Sequence, residues 1–469
     1  MSQVGSVETP LRVAIIGSGP SGFYAADWLL RQANLVVQID MFDRLPTPYG
    51  LVRGGVAPDH PKIKTVSKVY DKTAANPHFR FYGYVEIGKD ISHAELKAHY
   101  HQIVYAVGAQ TDRRLGVPGE QLEGSHAATE FVAWYNAHPD FHHFTFDLSQ
   151  TSAAVIGNGN VAMDVARILA SSYEELHRTD IADYALEALE HSKVTDIYML
   201  GRRGPAQAAF TNPELKEFGE LEDADIIVRP EDIDLDPLSQ AAVEREHDAT
   251  TLKNLATLQE FAKRPLRGKT KRIHMRFLVS PVELEGTNRV EAIKLVKNEL
   301  QAAPDGSLRA RATDQFETLP VGLVFRSIGY MGVALPDVPF DAKGGVIPNE
   351  HGRVIDPATK QPVQGEYAVG WIKRGPSGII GTNKPDALDT VNMMIEDVPN
   401  LPALNSADAS PEAVEMLIRS RQPEYVSYTD WQILDKLEQD NGAVQGRPRI
   451  KFSRIPDMLE ALAKAKEQA

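Results

Sequence analysis

Two stretches of this chain share one layout, and the repetition narrows its possible folds more than any other feature. Residues 11–43 read LRVAIIGSGPSGFYAADWLL…VVQIDMFD, and residues 152–203 read SAAVIGNGNVAMDVARILA…VTDIYMLGRR. Each runs from an apolar strand through a glycine-rich turn into a helix and then a second strand, the start of a dinucleotide-binding βαβ unit. In the first, GSGPSG sets Gly17, Gly19 and Gly22 at the fingerprint spacing. Gly17 permits the tight turn, Gly19 lets backbone approach a pyrophosphate, and Gly22 lets helix and strand pack closely. The following helix offers its free N–H groups and positive dipole end to the phosphates. In the second, GNGNVA carries Ala162 where the third glycine would stand. Alanine holds the helix slightly farther from the strand, a variant the fingerprint tolerates.

The two units end differently. The first closes on Asp43, 26 residues past Gly17, an acid of the kind that hydrogen-bonds ribose hydroxyls. The second closes on Arg202 and Arg203, 45 residues past Gly157. Two guanidiniums suit a 2′-phosphate through charge-assisted, often bidentate bonds. The extra length is taken up by a helical insertion over residues 173–191. The chemistry therefore points to NADP(H) in the second site and FAD in the first, where spacing alone also admits NAD.

At 469 residues the chain exceeds one ordinary core, so two or three domains are expected. The fold class expected is α/β, with two nested dinucleotide-binding (Rossmann-like) domains and antiparallel strand inserts. The first domain is discontinuous, 1–112 with 325–469, and the second spans 113–324. IVYAVGA and VFRSIGY, two short strands ending in glycine, mark the places where the chain crosses between them. Residues 1–10 read as a disordered leader. Residues 45–64 form an aperiodic Gly- and Pro-rich loop whose apolar content argues for order. Helices are expected at 63–75, 92–101 (capped by Ser92, with Glu95 completing a capping box), 129–136, 161–169, 411–421, 429–441 and after 455. Residues 277–300 and 308–320 alternate as antiparallel strands.

The absence of cysteine excludes disulfides, CxxC redox centres, thiolate nucleophiles and cysteine-ligated clusters within this chain. Redox chemistry here needs a bound organic cofactor or a partner's metal, and no metal site is expected. The formal charge of −14 argues against nucleic acid as the main partner. No apolar run approaches the roughly 20 residues of a membrane helix. The N-terminus has neither a basic n-region with an apolar core nor an Arg-rich bias, so a cytoplasmic protein is expected.

Beyond these motifs, the chain resembles the adrenodoxin reductase type of ferredoxin–NADP(+) reductase, from about residue 11 to the end. The stretches that carry the resemblance are GSGPSGFYAA, PYGLVRGGVAPDHPKIK, IGNGNVAMDVARIL, GRRGPAQAAFTNPELKE, GWIKRGPSGIIGTN and GRPRIKFSRI. It implies a two-domain FAD and NADP flavoprotein that moves electrons from NADPH to a small iron–sulfur ferredoxin. It further implies that Ser21 and Asp43 hold the FAD, that Leu51 and Val85 line it, and that Trp371 with Gly378, Ile379 and Ile380 embraces the flavin ring. Asn158, Gly159, Asn160, Val161, Arg202, Arg203 and Glu214 would hold NADPH. His60 and Glu217 would sit near the hydride path, and Asp164 would link the domains. Related flavoproteins often keep an Asp after the last strand glycine, where this chain has Trp371 after Gly370. Asp43 stands where Glu is commoner, one methylene shorter.

His60 is expected to orient or tune rather than to act as a base, because hydride transfer needs positioning more than proton removal. Residues 263–276 (KRPLRGKTKRIHMR, Lys263 to Arg276) hold seven Lys or Arg and no acid. They offer a docking surface for an acidic ferredoxin, set against the plainer reading of a solvated face. Rival readings are an NADPH-dependent flavin monooxygenase or oxidase, and a non-catalytic FAD-binding protein. A cluster-bearing reductase subunit is disfavoured by the missing cysteines.

Overall fold

The computed structural model describes residues 3–405 and 408–468. These divide into two compact units. The first takes the residues up to 56, then 60–111 and those from 330 on, and the second takes 57–59 and 112–329.

In the first unit the wholly buried strand Leu11–Ile16 pairs in parallel with Val37–Asp43 on one side and Gln102–Tyr105 on the other. Its continuous apolar run is what a strand covered on both faces requires. Phe79–Gly83 extends the sheet beyond Val37–Asp43, and Pro362–Ala368 extends it beyond Gln102–Tyr105, both in parallel. An antiparallel ribbon, Arg353–Ile355 and Asn349–Glu350, completes seven strands. The chain reverses its direction of winding between Leu11–Ile16 and Gln102–Tyr105, the kind of switch point where open α/β sheets bind ligands. The helix Pro20–Leu30 buries Phe23, Ala26 and Leu29 with Val391 and Met394 of the helix Asn383–Asp397. The helices Tyr428–Val444 and Ile455–Glu467 add Trp431, Leu434, Met458 and Leu462 to the same core. The capping box at Ser92 and Glu95 forms in both directions and starts the helix His93–His99. Residues 3–10 are not a disordered leader: Gly5 N–H donates to Thr9 O at 2.7 Å and Val36 N–H donates to Gly5 O at 2.7 Å. Residues 1 and 2 lie outside the described residues.

The second unit carries an all-parallel six-stranded sheet in the order Ser125–Ala127, Leu323–Arg326, Ser152–Ile156, Asp196–Leu200, Lys271–Arg276, Ala224–Val228. A cut between residues 324 and 325 would fall inside Leu323–Arg326, all four residues of which are buried in this sheet. The expected antiparallel insert is present as Val279–Glu285, Ala292–Ala302 and Leu308–Pro320, with register shifts at Pro281/Glu283 and Val296/Asn298. The basic run is the larger departure, because its second half is an internal strand. Ile273 and Met275 are buried while Arg272, His274 and Arg276 alternate with them. Charge on one face concealed a period-two pattern.

Candidate functional site

In the first unit the glycine turn is built to stay open. Gly17 adopts φ +104°, and a Cβ there would meet Ala106 O at 2.5 Å. A Cβ on Gly22 would meet Gly17 O at 2.4 Å, whereas one on Gly19 would meet nothing within 4 Å. Gly17 and Gly22 are thus fixed by packing, and Gly19 is small for a reason outside the chain's own packing. Gly19 is also the N-cap of Pro20–Leu30 and no side chain caps that helix, so its first-turn N–H groups face outward unpaired by a cap. These features fit a dinucleotide pyrophosphate.

Asp43 closes the strand Val37–Asp43, and its carboxylate accepts from Ser18 N–H at 3.0 Å, from the Ser18 hydroxyl, and from Leu45 N–H at 3.0 Å. Burial pushes the Asp43 carboxyl above its ordinary value, and the Ser18 and Leu45 bonds oppose the rise. The acid therefore braces the glycine turn from inside. Val85, 1% exposed, donates its N–H to Asp43 O at 3.0 Å. Leu51 begins the short helix Leu51–Gly54 and keeps 39% of its surface exposed. His60 is the N-cap of Pro61–Lys64 and its carbonyl accepts from Ile63 N–H at 3.2 Å.

The segment after Pro362–Ala368 returns to the same turn. Gly370 has φ +73°, and a Cβ there would lie 2.5 Å from Ser21 Oγ. Trp371 follows at the start of the helix Trp371–Arg374, its Nε1–H donating to Ser377 O at 3.1 Å and its ring 5.3 Å from that of Tyr330. Gly378 takes φ +79°, and Ile379 is 61% exposed beside Ile380. Exposed Leu51 and Ile379 are apolar and the Trp371 ring is flat, surfaces of the kinds that suit a flavin ring.

The second unit repeats the device with a different finish. Gly157, at φ +135°, would set a Cβ 2.2 Å from Ser327 O, and a Cβ on Gly159 would meet nothing within 4 Å. Gly159 N-caps Asn160–Ala170, again with no side-chain cap, and Ala162 is fully buried. Asn158 O accepts from Ala209 N–H at 3.0 Å, and Asn160 Oδ1 accepts from Thr211 N–H at 2.9 Å. The turn and the loop after Arg203 are thereby tied together. Asn158 Nδ2 is buried with no hydrogen-bond partner among the described residues. Val161 lies in the first turn of the same helix, packed beside the core.

Arg202 is exposed and Arg203 half-buried, and neither forms an ion pair among the described residues. Burial, and then the charge of Arg202, lowers the Arg203 guanidinium from its ordinary value. An unpaired pair of cations next to a glycine turn fits a phosphate monoester, which relieves their mutual repulsion.

Behind this turn sits Arg167, 3% exposed, on the helix Asn160–Ala170. It pairs with Asp59, with Asp164 at 2.6 Å, with Glu214 at 3.1 Å and with Glu217 at 3.7 Å. These carboxylates hold its guanidinium well above the ordinary value against the opposing effect of burial. Glu214 and Glu217 belong to the helix Asn212–Phe218, so within this unit both acids, and Asp164, are oriented by one buried arginine. Sequence reading passed over Arg167 because an Arg inside an apolar helix, ARILA, looks like a surface residue.

Sequence reading also passed over Asp386. Its Oδ2 accepts from Gly370 N–H at 2.6 Å, and its Oδ1 lies 3.1 Å from Lys373 Nζ. The carboxylate beside this glycine comes here from the first turn of Asn383–Asp397. The acid following KP in GTNKPDALD was the available signal. Tyr49 was missed as well. It takes φ +84°, a conformation costing about 1–3 kcal/mol that persists only where its surroundings over-determine it.

Most cations of the basic run are committed. Lys271 Nζ donates to Leu169 O and Ser171 O at 2.9 and 3.0 Å. Arg272 and His274 both pair with Asp196, and Arg276 pairs with Glu317 at 2.6 Å. Lys263 and Arg267 are exposed.

Residues 11–200 match the pyridine nucleotide-disulphide oxidoreductase family. The chain is 46% identical over 459 residues to an NADPH-ferredoxin reductase, FprA, of Mycobacterium tuberculosis, covering 96% of this chain and 98% of that protein. It is 39% identical over 464 residues to the mitochondrial NADPH:adrenodoxin oxidoreductase of Arabidopsis thaliana, covering 97% and 96%. The structure of Mycobacterium tuberculosis FprA in complex with NADPH superposes with a TM-score of 0.91 at 44% identity, covering 97% of this chain and all of the other. With likeness of this extent to both, the chain belongs to the ferredoxin–NADP(+) reductases of the adrenodoxin reductase type.

Proposed function

We propose that this chain is an NADPH-dependent FAD reductase that delivers electrons to a small iron–sulfur ferredoxin. The observation that carries the reading is the contrast between two like turns, one braced by the half-buried acid Asp43 and one finished by the unpaired cations Arg202 and Arg203. FAD and NADP are the cofactors. Bound FAD supplies the conversion of a two-electron hydride into single electrons that an iron–sulfur centre accepts.

The chain's own residues bind, orient and position. In the first unit Gly17 and Gly22 shape the turn by close packing, and Gly19 and Ser21 at the helix start take the FAD pyrophosphate. Asp43 holds that turn and faces the ribose, with Leu51 and Val85 lining the cofactor. Trp371, Gly378, Ile379 and Ile380 border the flavin ring. In the second unit Asn158, Gly159, Asn160 and Val161 take the NADPH pyrophosphate, Arg202 and Arg203 its 2′-phosphate, and Glu214 completes the pocket. His60 and Glu217 are the proposed active-site residues, serving to orient the nicotinamide and tune the flavin's surroundings rather than to remove a proton. We assign FAD binding to the first unit, expected at 1–112 and 325–469, and NADP binding to the second, expected at 113–324, with residues 325–329 going to the second unit because Leu323–Arg326 is a strand of its sheet.

The iron–sulfur partner is of ferredoxin type. We place its docking on the basic stretch Lys263–Arg276, chiefly on exposed Lys263 and Arg267, since the other cations are engaged at home. Local positive potential on a chain of net charge −14 would steer an acidic partner and weaken with salt. No helix among the described residues is long and apolar enough to cross a membrane, and a cytoplasmic location is part of the proposal. The test is NADPH-driven reduction of a ferredoxin. Reduction that falls steeply with salt, while ferricyanide reduction does not, supports the reading. Flavin reduction followed only by oxygen consumption and substrate hydroxylation would replace it with the monooxygenase reading.

A further inference from the structure

The loop between Asp43 and the short helix Leu51–Gly54 passes directly over the glycine turn of the first unit. Tyr49 N–H donates to Ser18 O at 2.9 Å. The next residue, Gly50, has φ +49°, and a Cβ on it would stand 3.0 Å from Gly19 Cα. Backbone thus lies on backbone at the glycine that faces the pyrophosphate. Nothing local makes that path favourable, because Tyr49 at φ +84° lies in a region that L side chains avoid.

The last fifth of the chain holds it there. The Tyr49 hydroxyl meets Tyr428 OH at 2.9 Å, and both hydroxyls donate to Asp71 Oδ1, Tyr428 at 2.7 Å. Trp431 stands edge-on to the Tyr49 ring at 5.8 Å. One turn later in the loop, Arg53 makes a bidentate pair with Glu438, at 2.7 and 2.5 Å, and its guanidinium lies 5.1 Å from the centre of the Trp431 ring. Glu438 is fully buried and also accepts from Phe452 N–H at 2.9 Å. Lys451 Nζ donates to Arg53 O at 3.2 Å. The helix Tyr428–Val444 and the following residues to 452 therefore grip both ends of a six-residue loop, by two independent sets of bonds.

We infer that the segment 428–452 is a strap that sets the loop Tyr49–Gly54 against the glycine turn, with Tyr428 and Glu438 as positioning residues for FAD retention. The inference rests on the first unit being the FAD site. Both residues act at a distance: Tyr428 through Tyr49 and Glu438 through Arg53, neither by touching the cofactor. The strap explains why a nucleotide loop carries a buried bidentate ion pair, and why a tyrosine occupies a left-handed position where glycine or asparagine would cost less.

The test is FAD release from purified holoenzyme carrying Tyr428→Phe or Glu438→Gln, followed by the rise in flavin fluorescence on dilution. Release about tenfold faster is expected from the loss of one such bond, with the KM for NADPH unchanged. The stabilisation that FAD adds, read as the Tm of holoenzyme minus that of flavin-free protein, should shrink. A purely structural role would lower both Tm values equally and leave release unchanged. Should Glu438→Gln fail to fold, Tyr428→Phe decides alone, since Tyr49 keeps Asp71 and the ring packing stays. Release from Tyr428→Phe within twofold of wild type would overturn the strap. A wild-type chain that purifies and reconstitutes without flavin would instead overturn the FAD reading of the unit.

Discussion

The carboxylate of Asp43 accepts hydrogen bonds from both the backbone N–H and the hydroxyl of Ser18, the residue at the centre of the first glycine turn. A third bond comes from Leu45 N–H. An acid at the end of this strand thus shapes the turn, besides the ribose contact proposed for it. Asp43→Asn keeps the size but turns one acceptor into a donor, so at least one of these bonds is lost. Bonds to a charged group are worth about 1.5–3 kcal/mol, so FAD affinity should fall roughly 10- to 100-fold. NADP binding to the second unit should be unaltered. Titration of flavin-free protein with FAD checks the first expectation, and NADP-agarose retention checks the second.

Arg202 and Arg203 should discriminate between the nicotinamide nucleotides. Replacing both with Ala removes charge-assisted bonds worth about 1.5–3 kcal/mol each. The kcat/KM for NADPH should drop by about 100-fold or more, almost wholly through KM, while that for NADH changes little. Steady-state kinetics with each nucleotide measures this. Equal losses with both would remove the 2′-phosphate role.

Arg167 and Arg272 offer a contrast in what an ion pair is worth. Arg167 is 3% exposed among four acids, whereas the Arg272 side chain is 40% exposed beside Asp196. Arg167→Leu removes the buried cation that four part-buried carboxylates share and should cost about 3–5 kcal/mol. Arg272→Ala should cost about 1 kcal/mol or less. Chemical denaturation of the two variants beside wild type reads the difference directly. Comparable midpoints would contradict the place given to Arg167 in the second unit.

The stability of the fold should also fall in mild acid, through His101. Its Nδ1 accepts from Arg12 N–H at 3.0 Å, which only the unprotonated nitrogen can do. Burial, and then the nearby Arg12 charge, lowers its pKa from 6.5 to about 4. Between those values the unfolded chain binds a proton that the folded chain refuses, so stability rises with pH across the window. The contribution is complete above the ordinary value and is lost as pH falls through about 4. His126 behaves alike, for reasons of burial and Arg326. His101→Asn keeps an acceptor and deletes the titration, so its Tm should depend less steeply on pH between 6.5 and 4.5 than that of wild type. An unchanged slope would refute the account.

Much of this was readable from the residues alone, for a physical reason. Glycines at fixed spacing, continuous apolar strands and capping pairs such as Ser92 and Glu95 are local signals, and each formed where the local chemistry placed it. What escaped depends on distant partners. Lys271–Arg276 hides a strand because charge on its outer face masks the buried Ile273 and Met275. The acid serving Gly370 comes from Asp386, sixteen residues on, outside the glycine pattern that it supports. Tyr49 looks like an ordinary turn residue until Asp71 and, 379 residues on, Tyr428 are seen against it. The turns themselves were legible, and the groups that hold them in place were not.

The most direct test of the whole account is the visible spectrum of the purified protein mixed without oxygen, first with NADPH and separately with NADH. Oxidised-flavin bands that NADPH bleaches rapidly and NADH bleaches slowly are expected. Absence of flavin bands, or bands that neither nucleotide bleaches, would contradict it.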